Sequence, residues 1–412
     1  MASKKLTRFN DPIYGFIGIP SPLIFDLIAH PYFQRLRRIS QMGLSYLVYP
    51  GAHHTRFQHA LGSMHLMQRA VQMLRFKGVA IDKKEEEGLL VAILLHDIGH
   101  GPFSHAMEHS IVEGVQHEAI SLFFMERLNH KFNGSLTTAI AIFKGTHPKN
   151  FLNQLVSGQL DMDRMDYLKR DSFYTGVSEG NINAERLIAM LNVVDGNLVV
   201  EEKGIYSVEK FLMARRFMYW QVYLHKTSLV AEQLLIRSLK RAKELLDRGK
   251  EVSCSDTLHF FLTTKITASD FSETVLHRFS LLDDVDILGA LKQWRQHPDR
   301  VLSHLCAMLL DRKLLHIKLK NKPFDPNKVK TRLEQLKQEE SFTEEEAAYF
   351  VFSDTIANTA YNSGKQQIYI RKDKGRLVDI IKVSDHFNLE ALSKKVTKHY
   401  LCYPKERFSD TL

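Results

Sequence analysis

The segment Leu94-Leu95-His96-Asp97-Ile98-Gly99-His100 decides how this chain is read. A histidine beside an aspartate at the close of an apolar helix presents two metal-ligand types where solvent and substrate can reach them. The helix that delivers them is predicted from about Glu85 to Ile98. Its consecutive glutamates Glu85, Glu86 and Glu87 suit the positive N-terminal end of a helix dipole, and Gly99 is the expected C-terminal stop. Consecutive residues on a regular helix point about 100° apart, yet at a helix end both can turn toward one ion. The pair gains meaning from further ligands, which the chain offers upstream at His59 and downstream at Asp163.

Both flanks read as helix. Phe57, Ala60, Leu61, Met64, Met67, Val71 and Leu74 form one apolar stripe, which puts His59 at the start of an amphipathic helix. Further helices are expected around 104–113, 117–129, 136–144, 151–170, 184–194 and 207–248, with Asp163 on the fourth. Nearer the N-terminus, Asp11-Pro12-Ile13-Tyr14-Gly15, Pro20-Ser21-Pro22 and Tyr49-Pro50-Gly51 are turns. Between them Phe33, Leu36, Ile39 and Met42 at i, i+3 spacing predict a short helix carrying Arg35, Arg37 and Arg38. The stretch Asn192–Glu202 departs from the helical pattern: Asp195-Gly196 between Val-rich arms is a hairpin signal. A second hairpin is expected from Gln367–Ile370 and Leu377–Val383 around Asp373-Lys374-Gly375. The simplest account is a mainly α protein. It has a lead-in over residues 1–50, a helical catalytic core over 51–250 and a smaller mixed α+β C-terminal region over 251–412.

Bulk properties narrow the function. The 412 residues are 44% hydrophobic and 25% charged, ordinary for a globular chain. No stretch approaches the ~20 apolar residues of a membrane span, and the charged start Met1–Arg8 lacks the apolar run of a secretory leader. Cys254, Cys306 and Cys402 are too scattered for a disulfide framework, so a reducing, cytoplasmic location is expected. A net charge of +9 favours phosphate-bearing partners, either nucleotides or nucleic acid.

The candidate ligands form a coherent set. His59 lies in Arg56-Phe57-Gln58-His59-Ala60, and Asp163 in Asp161-Met162-Asp163-Arg164-Met165-Asp166-Tyr167. Two imidazoles and two carboxylates make a mixed N/O site for a divalent ion such as Mn, Fe, Zn, Ni or Mg. Four protein ligands on an octahedral ion leave room for water and a phosphate oxygen, so such an ion could polarise phosphorus and activate water. Gly99-His100-Gly101-Pro102-Phe103-Ser104-His105 adds two histidines after a tight turn, a concentration of titratable groups that a solvated loop does not need.

These residues and their flanks resemble the HD-domain deoxynucleoside triphosphate triphosphohydrolases. That group contains the dGTP triphosphohydrolases and a dNTPase that carries an N-terminal SAM domain in some organisms. The resemblance runs from Asp11–Gly15 through Phe33-Gln34-Arg35-Leu36-Arg37-Arg38, Phe57-Gln58-His59, the His96 segment, His117-Glu118 and Asp163–Gly176, and fades after about residue 250. An ordered H…HD…D set with these flanks is specific where a bare HD dipeptide is not. The resemblance implies a helical HD-domain metallohydrolase core with His59, His96, Asp97 and Asp163 as metal ligands. It makes His117 the general acid at the leaving 5′ oxygen, a task suited to an imidazole whose ordinary pKa is about 6.5.

The resemblance assigns further roles residue by residue. His100 and Glu108 would orient or relay protons to His117, with helix capping as the alternative for Glu108, and His105 would meet the phosphates. Arg56, one turn before His59, would hold phosphate. Arg164 stands where the family often has lysine, which keeps the charge but changes the geometry. Tyr167 would stack under or bond the sugar, or else be a core-edge tyrosine; Asp171 would bond the 3′-hydroxyl. Gln41 would contact the sugar tightly enough to exclude a 2′-hydroxyl, and Arg215 and Tyr223 on the long helix after residue 207 would add substrate contacts. Activated members read a guanine nucleotide at a subunit interface with an acid just before the Pro-aromatic-Phe-Gln-Arg segment. Here Ile28-Ala29-His30-Pro31-Tyr32 has no acid, although Gln34 and Arg37 match.

The expected function is metal-dependent hydrolysis of dNTPs, dGTP included, to deoxynucleoside and triphosphate by a homo-oligomer, dimer or tetramer. Another HD-type phosphohydrolase, acting on a nucleoside monophosphate or a phosphodiester, is the nearest alternative. A nucleic-acid-binding protein with a vestigial HD core is the other, its basic stretch Arg312–Lys330 meeting single-stranded nucleic acid weakly. That stretch also reads as a solvated positive face, and the intact ligand set weighs against a vestigial site.

Overall fold

A computed structural model describes residues 7–103, 112, 114–362, 367–384 and 390–405. Helices dominate among them, joined by three small sheets. The chain opens with an antiparallel hairpin of β1 (Arg8–Asp11) and β2 (Gly15–Gly18). One carboxylate oxygen of Asp11 accepts from the amides of Ile13 and Tyr14 at 2.9 and 3.1 Å, and Gly15 closes the turn at φ +72°, where a Cβ is disfavoured. Phe33, Leu36 and Ile39 are buried, but their segment is one α turn, Pro31–Gln34, followed by a 3₁₀ turn, Arg35–Arg38. Strict three-residue spacing is the 3₁₀ repeat.

The helix Arg56–Phe76 buries the whole predicted stripe and packs against the helices Lys83–Leu95 and Met162–Thr175. The helix Lys83–Leu95 starts two residues before expectation, because Asp82 and Glu85 form a reciprocal capping box. It also stops at Leu95, so His96 and Asp97 stand on the turn beyond it. Gly99 is therefore not its stop. A Cβ there would lie 2.3 Å from both the carbonyl oxygen of His117 and the amide nitrogen of Ser121, so glycine lets the loop touch the helix His117–Lys131.

Two expected helices are broken. The 151–170 span is two helices, Asn150–Val156 and Met162–Thr175, separated at Ser157-Gly158; Asp161 caps the second, and Gly176 ends it in the left-handed region. The 207–248 span is Ile205–Met218, a π turn at Tyr219–Tyr223 and Lys226–Asp247, which restarts with the His225 imidazole accepting from the Thr227 amide at 3.2 Å. The expected helix at 104–113 lies outside the described residues.

The 184–194 helix ends at Met190 and gives way to β3 (Leu191–Val194), which pairs with β4 (Asn197–Glu201). Asp195 and Gly196 both take positive φ, +49° and +74°, as the predicted tight turn requires. Beyond residue 250 helices continue, and β5 (His316–Lys320), β6 (Phe352–Asn358), β7 (Tyr369–Arg371), β8 (Leu377–Asp379) and β9 (Val396–Tyr403) supply the expected strand content. β5, β9 and β6 form one antiparallel sheet. β7 and β8 form the second predicted hairpin, and β7 pairs parallel with β4, so both hairpins merge into one sheet ordered β3-β4-β7-β8. Among the described residues no helix is long and apolar enough to cross a membrane.

Candidate metal centre and substrate cleft

Three elements converge on one point. The helix Arg56–Phe76 supplies His59 from its first turn, the loop after Leu95 supplies His96 and Asp97, and the helix Met162–Thr175 supplies Asp163 from its first turn. The Nδ1 atoms of both histidines are engaged behind the site: His59 Nδ1 lies 2.8 Å from Asp166 Oδ2, and His96 Nδ1 lies 2.6 Å from the carbonyl of Ile93. Each ring therefore turns Nε2 inward. Among the described residues neither buried Nε2 atom has a well-aligned hydrogen-bond partner, although Asp163 Oδ1 is 3.1 Å from one and 3.4 Å from the other. Asp97 closes the set, with its oxygens 3.7 Å from His59 Nε2 and 3.4 Å from His96 Nε2. The two inward Nε2 atoms and an Asp163 oxygen lie within 4.8 Å of one another, while Asp97 groups as closely with His100 and His117; with each imidazole fixed from behind, the arrangement suits a divalent cation.

The electrostatics agree with that donor set. Burial alone would depress the His59 pKa, but Asp163 and Asp166 outweigh it and raise it to about 10. His96 is raised too, its burial outweighed by Asp97 and Asp163. Asp163 and Asp97 are held well below the carboxylate range: burial opposes this, while His59 and His96 act on the first, and His100, His96 and Arg56 on the second. The carboxylates thus favour positive charge between the two imidazoles, which a cation would supply.

Beside this point His100 stacks on His117, ring centroids 3.8 Å apart, and His100 Nδ1 lies 3.2 Å from Asp97 Oδ1. Burial, then the nearby Arg56, lowers His100 to about 3 and so keeps it neutral. The loop bearing these groups is fastened at several atoms. Ser121 Oγ accepts from the Gly99 amide and donates to the His96 carbonyl, at 2.9 and 2.7 Å. The fully buried Arg35 donates to the carbonyls of Ile98, His100 and Leu282 at 2.9, 2.8 and 3.0 Å. Asp284 accepts from the amides of Phe103 and Ser40 at 3.0 and 2.8 Å.

Above the centre opens a cleft of about 470 Å³, within the usual size of a small-molecule site. Gln41, Arg56, His117, Asp163, Arg164, Tyr167, Asp171, Arg215 and Tyr223 all line it. Arg56 pairs with Asp97, and Arg164 with its helix-capping neighbour Asp161. Arg215 donates to the Ala360 carbonyl at 3.1 Å. Asp171 accepts from His54 Nε2 and Tyr223 Oη, each at 2.7 Å, and Tyr167 packs edge-on against Tyr223. Tyr223 stands on the π turn rather than on a continuous long helix. His105 and Glu108 lie outside the described residues. Gln34 and Arg37 are not among the cleft-lining residues: Arg37 bonds Gln34 and covers the Phe57 ring, while Gln34 bonds the Ile28 carbonyl.

Sequence reading overlooked the support behind the site: Asp166 and Arg170 behind His59, and His54 behind Asp171. Asp166 lies three residues after Asp163 and four before Arg170, so the i, i+4 pair was visible, but it reads as a solvated helix face rather than a buried one.

Residues 56–171 match the HD domain and residues 182–279 the HD associated region. The crystal structure of a phosphohydrolase from Bacteroides thetaiotaomicron superposes with a TM-score of 0.94 at 51% identity, covering 97% of this chain and 100% of that one. The Bacillus subtilis protein YwfO is 33% identical over 98% of this chain and 93% of its own length. The deoxynucleoside triphosphate triphosphohydrolase SAMHD1 homolog of Dictyostelium discoideum is 29% identical over 62% of this chain; the match spans 55% of that relative.

Proposed function

Because the chain belongs to the HD-domain phosphohydrolase family, we propose that it cleaves deoxynucleoside triphosphates, dGTP among them, into deoxynucleoside and triphosphate. One observation carries the reading. The inward Nε2 atoms of His59 and His96, with Asp97 and Asp163, lie beneath a cleft that also holds three arginines, three tyrosines and a doubly held carboxylate. The SAMHD1 relatives are named for this reaction and match 57% and 62% of the chain.

A divalent ion held by His59, His96, Asp97 and Asp163 would supply Lewis acidity at phosphorus and a more acidic water. The chain's own residues do the rest. Arg56, Arg164 and Arg215 meet the triphosphate's negative charge, and the first two are pre-aimed by Asp97 and Asp161. His117 protonates the leaving 5′ oxygen, with neutral His100 stacked behind it. Asp171, with one donor already on each oxygen, keeps lone pairs for a sugar hydroxyl. Gln41 Oε1, buried and without a partner among the described residues, faces the same need.

The test is a panel of the four dNTPs with Mn²⁺, products separated by HPLC. Deoxynucleoside plus triphosphate is expected; monophosphate or diphosphate products would overturn the cleavage site. Asp97→Ala is expected to abolish turnover, and full activity in that variant would remove the metal role.

A further inference from the structure

Behind His59 runs an unbroken line of buried charge that ends in the N-terminal hairpin. His59 Nδ1 meets Asp166 Oδ2 at 2.8 Å. Arg170 grips the same carboxylate with two donors, Nε to Oδ2 at 2.8 Å and Nη2 to Oδ1 at 3.0 Å. Its remaining terminal nitrogen, Nη1, donates to Asp11 Oδ2 at 2.8 Å. Asp11 in turn holds the hairpin's turn amides through its other oxygen. His59, Asp166 and Arg170 are fully buried and Asp11 is 6% exposed, so water does little to screen the line. Tyr14, from the same turn, adds its ring 5.7 Å from the Arg170 guanidinium carbon. Gly62 makes the approach possible: a Cβ there would lie 2.1 Å from Asp166 Oδ1 and 2.2 Å from Arg170 Nη2.

The hairpin lies outside both family matches, which begin at residue 56. Nothing in its own sequence contacts the cleft, yet it anchors the back of a candidate ligand. We propose that Asp11 is a positioning residue for the metal centre, tuning His59 through Arg170 and Asp166. The inference rests on the reading of His59 as a ligand.

The charges give the direction. Asp11, Arg170 and Asp166 sum to −1 on the side of His59 away from the ion. Removing the Asp11 charge leaves Arg170 to draw wholly on Asp166, which then accepts less from His59 Nδ1 and makes Nε2 a poorer donor. Outer partners of this kind change metal affinity by about 10- to 100-fold.

The experiment measures Mn²⁺ binding to the full chain, stripped with chelator, by the electron paramagnetic resonance signal of free Mn²⁺. The parent's own binding tests the ligand reading separately. Asp11→Asn should weaken Mn²⁺ binding about tenfold or more, while far-UV circular dichroism stays unchanged. Asp11→Asn/Arg170→Gln, which removes both outer charges and leaves Asp166 to His59 alone, should recover part of that loss. A merely structural role would give no recovery. Folded Asp11→Asn with parental Mn²⁺ affinity overturns the proposal. Should Asp11→Asn not fold, Asp11→Ser removes the charge while keeping an oxygen for the turn amides, and parental Mn²⁺ affinity in it overturns the proposal equally.

Discussion

At the scale of single residues, the site is governed by what stands behind each functional group. His59 gives a pH dependence. Its pKa is raised from the ordinary imidazole value to about 10 by Asp163 and Asp166 against the effect of burial, so the metal-free site holds a proton across neutral pH. A cation must displace it. Mn²⁺ affinity should therefore rise by about tenfold per pH unit for each proton released, between pH 6.5 and the upper limit set by His59. Binding constants at pH 6.5, 7.5 and 8.5 check this, and equal values would contradict it. His54 gives a second prediction. It donates to the buried Asp171 carboxylate at 2.7 Å, under a stacked Tyr174 ring. His54→Ala removes one hydrogen bond to a charged group, worth roughly 1.5–3 kcal/mol. Steady-state kinetics should show kcat/KM reduced by about tenfold or more, with bound Mn²⁺ unchanged; an unaltered kcat/KM would free Asp171 from this role.

At the scale of elements, the loop carrying His96, Asp97 and His100 depends on close backbone contact. Gly99→Ala forces a Cβ onto the backbone of His117 and Ser121. Such overpacking costs about 1–3 kcal/mol, and because His117 begins the displaced helix, turnover should fall further than Mn²⁺ binding does. Denaturant unfolding and product assays on one preparation test both parts. Elements were legible where their signal is local. The Asp195-Gly196 turn, the apolar stripe of Arg56–Phe76 and the second hairpin need only neighbouring residues. That His59, His96, Asp97 and Asp163 come together was legible because flanking sequence carried it. What escaped is non-local or unpunctuated. Leu224–His225 has neither proline nor glycine to announce a break, and β4 meets β7 across some 170 residues of chain. Asp166 escaped because burial of an acid is decided by what packs over it, here Gly62 and the hairpin.

At the scale of the molecule, distant parts of the chain meet at the loop that bears His96, Asp97 and His100. Arg35 precedes the HD helices, Leu282 lies more than a hundred residues beyond them, and one guanidinium bonds both Leu282 and the loop. Arg35→Met keeps the bulk but leaves three carbonyls without their donor, at about 1–3 kcal/mol for each one that stays buried. Thermal unfolding should shift downward clearly, and Arg35→Lys should recover only part, since an ammonium lacks the planar fork. A parental unfolding profile in Arg35→Met would refute the clamp. The carboxylate of Asp284, shared between the amides of Ser40 and Phe103, carries the same lesson further. The segment with His96, Asp97 and His100 is not a portable cassette. Spliced into another scaffold with its own residues intact, it would arrive unmoored unless the recipient also offered an arginine from one side and an aspartate from the other.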